Sequence, residues 1–248
     1  MNLRERVRGG EQVPGAMVFE FFSPGIAQIM ALAGAEYIIY DMEHSGAGLE
    51  TLKNQVAACR GLPITPLARP PVGEYHFLAR LLDIGMKGVM VPMVESGAEA
   101  AAIVEACHYP PAGRRGAAFG FSHDDYEPGE PADKIAKANE EILVIAQVET
   151  ERGLAHVDAI AATEGVDVLW IGQFDLSNFL GVPGDFKAPV YLEACKKIAA
   201  AARRHGKALG AMSAHPSWTA DYRAQGFEMI AAGTDQGLLM QGVKGLLA

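Results

Sequence analysis

Short apolar runs alternate with alanine-rich amphipathic stretches along almost the whole chain. Eight of these runs are continuously apolar, which is typical of strands that are covered on both faces. They lie at 16–20, 36–41, 64–69, 87–92, 143–149, 166–172, 207–212 and 228–232. Between them, apolar residues recur at three- and four-residue spacing, as at Leu49, Leu52, Val56 and Cys59. This spacing predicts a helix there, and similar patterns predict helices over 95–107 and 190–205.

The alternation predicts a (β/α)8 TIM barrel formed by a single domain over residues 1–248. Eight strands alternating with helices in 248 residues match the length of such a barrel. A doubly wound open sheet is the alternative, but Phe21-Phe22-Ser23-Pro24-Gly25 follows the first strand where a glycine-rich dinucleotide loop would be needed. The one irregular stretch is 109–140, which we expect to be a lid or a subunit contact.

Charge and cysteine content exclude several classes of protein. Lys plus Arg total 21 and Asp plus Glu total 30, a net charge of −9 that disfavours binding to nucleic acid or to a membrane surface. No apolar run reaches the roughly 18 residues of a membrane span, and the first twelve residues carry no secretory apolar region. Cys59, Cys107 and Cys195 are far apart, so we expect reduced packing residues on helices and a cytoplasmic protein.

Polar residues stand at the carboxyl ends of four predicted strands. Asp41 closes the second strand and Arg69 the third, Gln147 and Glu149 end the run over 143–149, and Gly172 precedes Asp175. In a barrel these ends meet at one face, which carries the active site. The sequence therefore predicts one shared site at this face.

Glu149 and Asp175 are the candidate metal ligands. Two carboxylates on successive strands can share a hard divalent cation and leave its other positions to water and a chelating substrate. Each of them could instead cap a following helix. A carboxylate pair for glycoside hydrolysis is a weaker alternative, because the predicted mouth lacks the tryptophans that stack sugars.

His44 and Arg69 are the candidate catalytic pair. His44 follows a strand end beside Asp41 and Glu43, and such carboxylates would orient its ring for work as a general base near neutrality. An arginine that ends a buried strand needs an anion or a developing oxyanion to meet its charge. The alternative for Arg69 is an internal ion pair with Glu43 or Asp41.

Many motifs in chain order resemble the HpcH/HpaI type of class II pyruvate aldolases, a family that includes 4-hydroxy-2-oxoheptanedioate and 2-dehydro-3-deoxyglucarate aldolases. The resemblance covers nearly the whole chain. The motifs are Asp41-Met42-Glu43-His44, Arg69-Pro70, Leu81-Leu82-Asp83-Ile84-Gly85, Val91-Pro92-Met93-Val94, Tyr109-Pro110-Pro111-Ala112-Gly113, Arg115-Gly116, Gln147-Val148-Glu149-Thr150 and Gly172 with Asp175-Leu176-Ser177.

The resemblance implies a barrel that is commonly hexameric, with its last helix exchanged between subunits. It implies a divalent cation (Mg2+, Mn2+ or Co2+) on Glu149 and Asp175, His44 as base, and Arg69 stabilising an enolate. It also implies that Asp83, which the chain places at the opposite end of the barrel, reaches His44 of a neighbouring subunit.

The resemblance further implies that the backbone from Gly172 to Asp175 holds a pyruvyl carboxylate. Here the chain reads Gly172-Gln173-Phe174-Asp175 where the family commonly reads Gly-Pro-Ala-Asp. Phe19 stands where a tryptophan is often found, and Met212 where an aliphatic residue is usual. Together with Gln147, these positions are the predicted substrate contacts.

The expected activity is metal-dependent, reversible cleavage of a 4-hydroxy-2-oxo acid to pyruvate or hydroxypyruvate and an aldehyde. No lysine ends a predicted strand, which favours metal over imine chemistry. Two alternatives remain. One is a related lyase acting on an acyl-CoA or a phosphoenolpyruvate-type compound, with Arg114, Arg115, Lys134 and Lys137 as a phosphate-binding strip. The other is a non-catalytic binder of small carboxylates.

Overall fold

Eight parallel strands close into a barrel in the computed structural model, which describes residues 1–247. The strands follow one another around the barrel in chain order, and β1 pairs with β8 to close it. They are β1 Val13–Val18, β2 Tyr37–Asp41, β3 Thr65–Arg69, β4 Gly88–Val91, β5 Leu143–Val148, β6 Val168–Ile171, β7 Ala208–Met212 and β8 Met229–Thr234. The predicted TIM barrel is confirmed, and the open-sheet alternative is wrong.

Helices surround the barrel, as apolar runs buried on both faces require. Among residues 1–247 they are α1 Leu3–Arg8, α2 Ile26–Leu32, α3 Leu49–Cys59, α4 Tyr75–Asp83, α5 Gly97–Cys107, α6 Pro131–Glu141, α7 Glu151–Ala155, α8 Val157–Ala162, α9 Gln173–Phe179, α10 Pro189–Arg204, α11 Pro216–Ala224 and α12 Asp235–Leu247. Within this part of the chain, no helix is both long and apolar enough to cross a membrane.

The stretch predicted to be irregular over 109–140 is shorter than expected. Its last part forms α6, which begins with Pro131 in the first turn, where the missing N–H of proline costs nothing. None of the residues in α6 is fully buried, so the helix has no apolar stripe that would reveal it in the sequence. Lys134 and Lys137 therefore lie on a helix and not in a loop.

Two apolar layers fill the molecule. The inner one lies inside the barrel and includes Met17, Met90 and Trp170, and the outer one lies between the strands and the helices. Large side chains in the inner layer make the barrel a packed core with no pore. Polar side chains can therefore gather only above this layer, at the ends of the strands.

The three cysteines are packing residues, as predicted. Cys59, Cys107 and Cys195 carry free thiols and lie on three different helices, α3, α5 and α10. Burial raises the pKa of the Cys107 thiol to about 12 and that of Cys195 to about 11. Such thiols stay protonated and unreactive at neutral pH.

Candidate active site

The Asp41 carboxylate joins the ends of β2 and β3. Its side chain is fully buried, with Oδ1 2.5 Å from Arg69 Nε and Oδ2 accepting the backbone N–H of His44 at 2.7 Å. The two strands pair in register, so that Asp41 and Arg69 stand side by side. Asp41 thus positions both candidate catalytic residues, one through its side chain and the other through its backbone.

Arg69 makes the internal ion pairs that were its alternative interpretation. Besides Asp41, its Nη1 lies 3.0 Å from Glu43 Oε2, and its guanidinium carbon lies 5.3 Å from the centre of the Phe19 ring. Arg69 is 5 % exposed and still lines the cavity at this end of the barrel. The ion pairs therefore fix the guanidinium at the site without removing it from the cavity.

His44 borders the same cavity and remains largely open to solvent. Its Nε2 lies 3.5 Å from Glu43 Oε2, and its side chain is 54 % exposed. Burial raises the pKa of the Glu43 carboxyl, while the Arg69 and His44 charges oppose that rise. An imidazole in this position can exchange a proton with a molecule in the cavity.

Glu149 lies just behind the cavity wall. It is 1 % exposed; Oε1 accepts the Met93 backbone N–H at 2.8 Å, and Oε2 accepts Gln147 Nε2 at 2.5 Å. Burial raises the pKa of the Glu149 carboxyl to about 7, and the neighbouring carboxylates of Asp175 and Glu43 add to the rise. Three carboxylates thus interact electrostatically at one end of the barrel.

Gly172 allows Glu149 and Gln147 to occupy this position. A Cβ on Gly172 would collide with Glu149 Oε2 and with Gln147 Nε2 at 2.6 Å. Asp175 follows in the first turn of α9 and lines the cavity. The backbone at Gly172 therefore packs directly on the Glu149 carboxylate, and Asp175 follows only three residues later.

The donor set fits a hard divalent cation. Carboxylate oxygens are the ligands that Mg2+ and Mn2+ prefer. A cation would offset both the burial and the smaller carboxylate repulsion that raise the pKa of Glu149. Gln147 Oε1 is buried without a hydrogen-bond partner beside them. Among residues 1–247, no three His, Cys, Asp or Glu side chains form a complete metal cluster, so most ligands would come from water and substrate.

A cavity of about 220 Å³ lies above Met17, Met90 and Trp170. Eight of the predicted site residues line it, namely Phe19, His44, Arg69, Gln147, Gly172, Phe174, Asp175 and Met212. No lysine of the described chain is among its lining residues. The cavity therefore offers a small, mainly apolar space with polar groups at a few points of its wall.

Asp83 lies at the other end of the barrel, as the sequence predicted. It ends α4, just before β4 begins, and its carboxylate pairs with Arg115 Nη2 at 2.7 Å. Within one chain it takes no part in the cavity that His44 lines. Its role at His44 of a neighbouring subunit stays a prediction.

Two residues that shape the site were missed in the sequence. The Asp235 carboxylate accepts the backbone N–H groups of Phe19, Glu20 and Phe21 at 3.0, 3.0 and 2.6 Å, and so holds the loop after β1. Asp235 directly follows β8, and the strand-end rule applied to Asp41 would have found it. Met93 donates to Glu149 from a left-handed backbone with φ 56°. It belongs to the motif Val91-Pro92-Met93-Val94, but nothing in that motif indicates the role of its backbone N–H.

Two proteins of similar sequence are both named as aldolases. The chain is 35 % identical to a "Hydroxypyruvate/pyruvate aldolase" of Pseudomonas aeruginosa over 243 residues, covering 98 % of this chain and 90 % of that protein. It is 35 % identical over 224 residues to a "5-keto-4-deoxy-D-glucarate aldolase" of Salmonella arizonae, covering 90 % of this chain and 87 % of that one.

The fold comparison agrees. The structure of an HpcH/HpaI aldolase from Desulfitobacterium hafniense DCB-2 superposes with a TM-score of 0.93 and 31 % identity, covering 99 % of this chain and 96 % of the other. The family model described as HpcH/HpaI aldolase/citrate lyase matches residues 17–242. The barrel, its strand-end residues and these similarities lead to one conclusion: the chain belongs to the HpcH/HpaI aldolase/citrate lyase family.

Proposed function

We propose that this protein is a divalent-metal-dependent aldolase that reversibly cleaves 4-hydroxy-2-oxo acids to pyruvate or hydroxypyruvate and an aldehyde. One observation carries the proposal: a fixed guanidinium, an exposed imidazole and the Asp175 carboxylate line one small cavity, and two further carboxylates that interact with Asp175 lie close behind. Family membership supports the carbon–carbon lyase class. The donor set supports the dependence on metal.

Glu149 and Asp175 would hold the cation. Bound there, it would supply Lewis-acid polarisation of the 2-oxo group. The chain itself limits what can bind: Met17, Met90 and Trp170 floor the cavity, and its volume of about 220 Å³ suits a short 2-oxo acid. The family resemblance adds the prediction that the backbone from Gly172 to Asp175 holds the carboxylate of that acid.

His44 takes the proton from the C4 hydroxyl in the cleavage direction. As the C4 oxygen becomes the aldehyde carbonyl, the C3–C4 bond breaks and its electron pair passes to the enolate of the 2-oxo acid. Arg69, held in place by Asp41 and Glu43, faces the cavity and stabilises the negative charge on the enolate oxygen. The proton held on His44 then returns to C3, directly or through water, which releases the 2-oxo acid, and addition runs through the same steps in reverse.

The basic strip predicted for an acyl-CoA substrate already has partners within the chain. Each of its four cations contacts an aromatic or acidic side chain: Arg114 with Tyr75, Arg115 with Asp83, Lys134 with Asp124, and Lys137 with Glu141. Arg115 lies with Asp83 at the end of the barrel away from the cavity. These contacts favour a small oxo acid over a CoA ester.

The test is release of pyruvate or hydroxypyruvate from a panel of 4-hydroxy-2-oxo acids, before and after EDTA, with Mg2+, Mn2+ or Co2+ then restored. We expect cleavage to stop with the chelator and to return with metal. Glu149→Gln should bind Mn2+ far more weakly in calorimetry and should not recover. Cleavage that survives EDTA would contradict the metal site. Binding of pyruvate without turnover would instead support the non-catalytic binder.

We also propose a homo-oligomer, hexameric by family resemblance, in which Asp83 approaches His44 of a neighbour. Its support is the last helix, α12, where the apolar side chains of Leu239, Met240, Val243 and Leu246 are about half to nine-tenths exposed. Light scattering gives the mass in solution. A fully active monomer would remove the role of Asp83 and the exchange of α12.

A further inference from the structure

Gln173 is a buried amide with no hydrogen-bond partner. It is 4 % exposed, and neither its Oε1 nor its Nε2 has a partner among the described residues. A buried polar group left unpaired lowers stability, so natural structures keep few of them. Gln173 also borders the cavity of the site. A bound molecule that completes its hydrogen bonds would explain why the residue is polar.

The position of Gln173 is on the side of the site where the 2-oxo acid would bind. It directly follows Gly172, whose backbone packs against Glu149 and Gln147, and it precedes Asp175 by two residues. Along the chain it therefore lies between the glycine that packs on Glu149 and the residue that carries the second proposed metal carboxylate. We expect a group that meets this amide to belong to the part of the substrate next to the oxo acid.

A hydroxyl group can make the hydrogen bonds that the Gln173 amide lacks. An amide offers both donors and an acceptor, and a hydroxyl can use one of each. Gln147 Oε1, the other unpartnered amide oxygen at the cavity, can accept as well. The methyl group of pyruvate offers these three atoms no partner. The C3 hydroxyl of hydroxypyruvate can accept from Gln173 Nε2 and donate to one of the two unpartnered oxygens.

Building on the proposed aldolase function, we propose that Gln173 selects the donor substrate, favouring 3-hydroxy-2-oxo acids such as hydroxypyruvate over pyruvate by binding the C3 hydroxyl. The preference arises because pyruvate leaves the buried amide unpaired. A site built to hydrogen-bond a hydroxyl discriminates against the analogue that lacks it more strongly than an apolar pocket discriminates by size.

Calorimetry on the full-length, Mn2+-loaded protein tests this directly, with hydroxypyruvate and pyruvate as titrants. We expect the wild type to bind hydroxypyruvate at least about 10-fold more tightly than pyruvate, as one or two hydrogen bonds allow. Gln173→Met keeps the length of the side chain and removes the amide, and it should bring the ratio of the two dissociation constants close to one.

Gln55→Met is the matched control. Gln55 is also a buried glutamine with an unpartnered oxygen, but it lies on α3 and does not line the cavity. Its Nε2 donates to the Phe22 carbonyl at 2.5 Å, so this variant controls for the ligand preference and not for the unfolding temperature. The ratio should keep its wild-type value in this variant. Gln173→Leu gives the same test if the methionine variant does not fold. Without ligand, Gln173→Met should unfold at the same temperature as the wild type or higher, because no internal hydrogen bond is lost.

Three results would overturn the assignment: no preference in the wild type, a preference that survives Gln173→Met, or a lower unfolding temperature of the unligated variant. The aldolase function is tested separately by carbon–carbon cleavage. A preference that depends on Gln173 in a protein that cleaves no 4-hydroxy-2-oxo acid would refute the aldolase and keep the role of Gln173. Cleavage without such a preference would keep the aldolase and refute the role of Gln173.

Discussion

Replacing Asp41 with asparagine tests how the two catalytic candidates are positioned, since the change keeps the shape of the side chain and removes one acceptor. In the native protein each carboxylate oxygen accepts one donor, Arg69 Nε at 2.5 Å and the His44 backbone N–H at 2.7 Å. Asparagine has a single oxygen, so its NH2 group must face one of these two donors. One charge-assisted hydrogen bond is lost, and a donor is left facing a donor.

The cost follows from the full burial of this site. Losing a hydrogen bond to a charged group and weakening a buried ion pair should lower the free energy of unfolding by about 2–4 kcal/mol, with Glu43 still holding Arg69. In a chain of this size that corresponds to a fall of about 4–16 °C in Tm. Because either His44 or Arg69 loses its hydrogen bond to the common anchor, kcat/KM for cleavage should fall about 10–100-fold.

Thermal unfolding and steady-state cleavage measure the two effects, with Asp125→Asn as the matched control. Asp125 makes an exposed pair with Arg60 at 2.7 Å, and its left-handed backbone, with φ 55°, accepts asparagine readily. That control should lose no more than about 1 kcal/mol and keep its activity. A Tm loss no larger than that of the control would refute the positioning role of Asp41. Lost stability with full activity would reduce Asp41 to a structural residue.

Three further changes have definite expected outcomes. Gly172→Ala should lower kcat/KM for cleavage about 10–100-fold, because the new Cβ displaces Glu149 at a cost of about 1–3 kcal/mol. The control Gly25→Ala has open space around its new Cβ and should keep its activity. Equal activity of the two variants would contradict the close packing at Gly172. Met93→Gly should have a free energy of unfolding in urea about 1 kcal/mol higher than that of Met93→Ala, because glycine relieves the left-handed backbone. The reverse order would show that the backbone is not strained. Burial lowers the pKa of the His108 ring. Below a pH of about 6.5 the unfolded chain therefore takes up a proton at this residue that the folded chain does not, and the free energy of unfolding decreases as the pH falls. Urea midpoints between pH 7 and 5 should decline less in His108→Gln, and parallel declines would exclude His108 as a cause.

The strand pattern predicted most of the barrel because it follows from burial on both faces. All eight strands and the helices at 49–59, 97–107 and 189–204 lie within a few residues of their predicted positions. Helix α6 escaped the prediction because it buries no residue completely. A periodic apolar stripe marks a helix only where the helix has a core face to fill.

The strand-end rule also gathered most of the site. It brought residues that follow four strands to one cavity, although they are up to 131 positions apart, from His44 to Asp175. The rule says where side chains meet but nothing about which backbone groups meet them. The Met93 N–H on Glu149 and the unpaired state of the Gln173 amide depend on atomic contacts that no one-dimensional pattern encodes.

The hydrogen bonds from the loop after β1 to Asp235 join the first strand to the residue that follows the last one. A chain that is still being synthesised, or one clipped before this point, contains His44, Arg69 and both proposed metal ligands but lacks the group that fixes Phe19 beside them. The seam between β1 and β8 is absent from such a chain as well. Closure of the barrel therefore also completes the proposed active site, and we expect a fragment that ends before Asp235 to be inert even where it collapses.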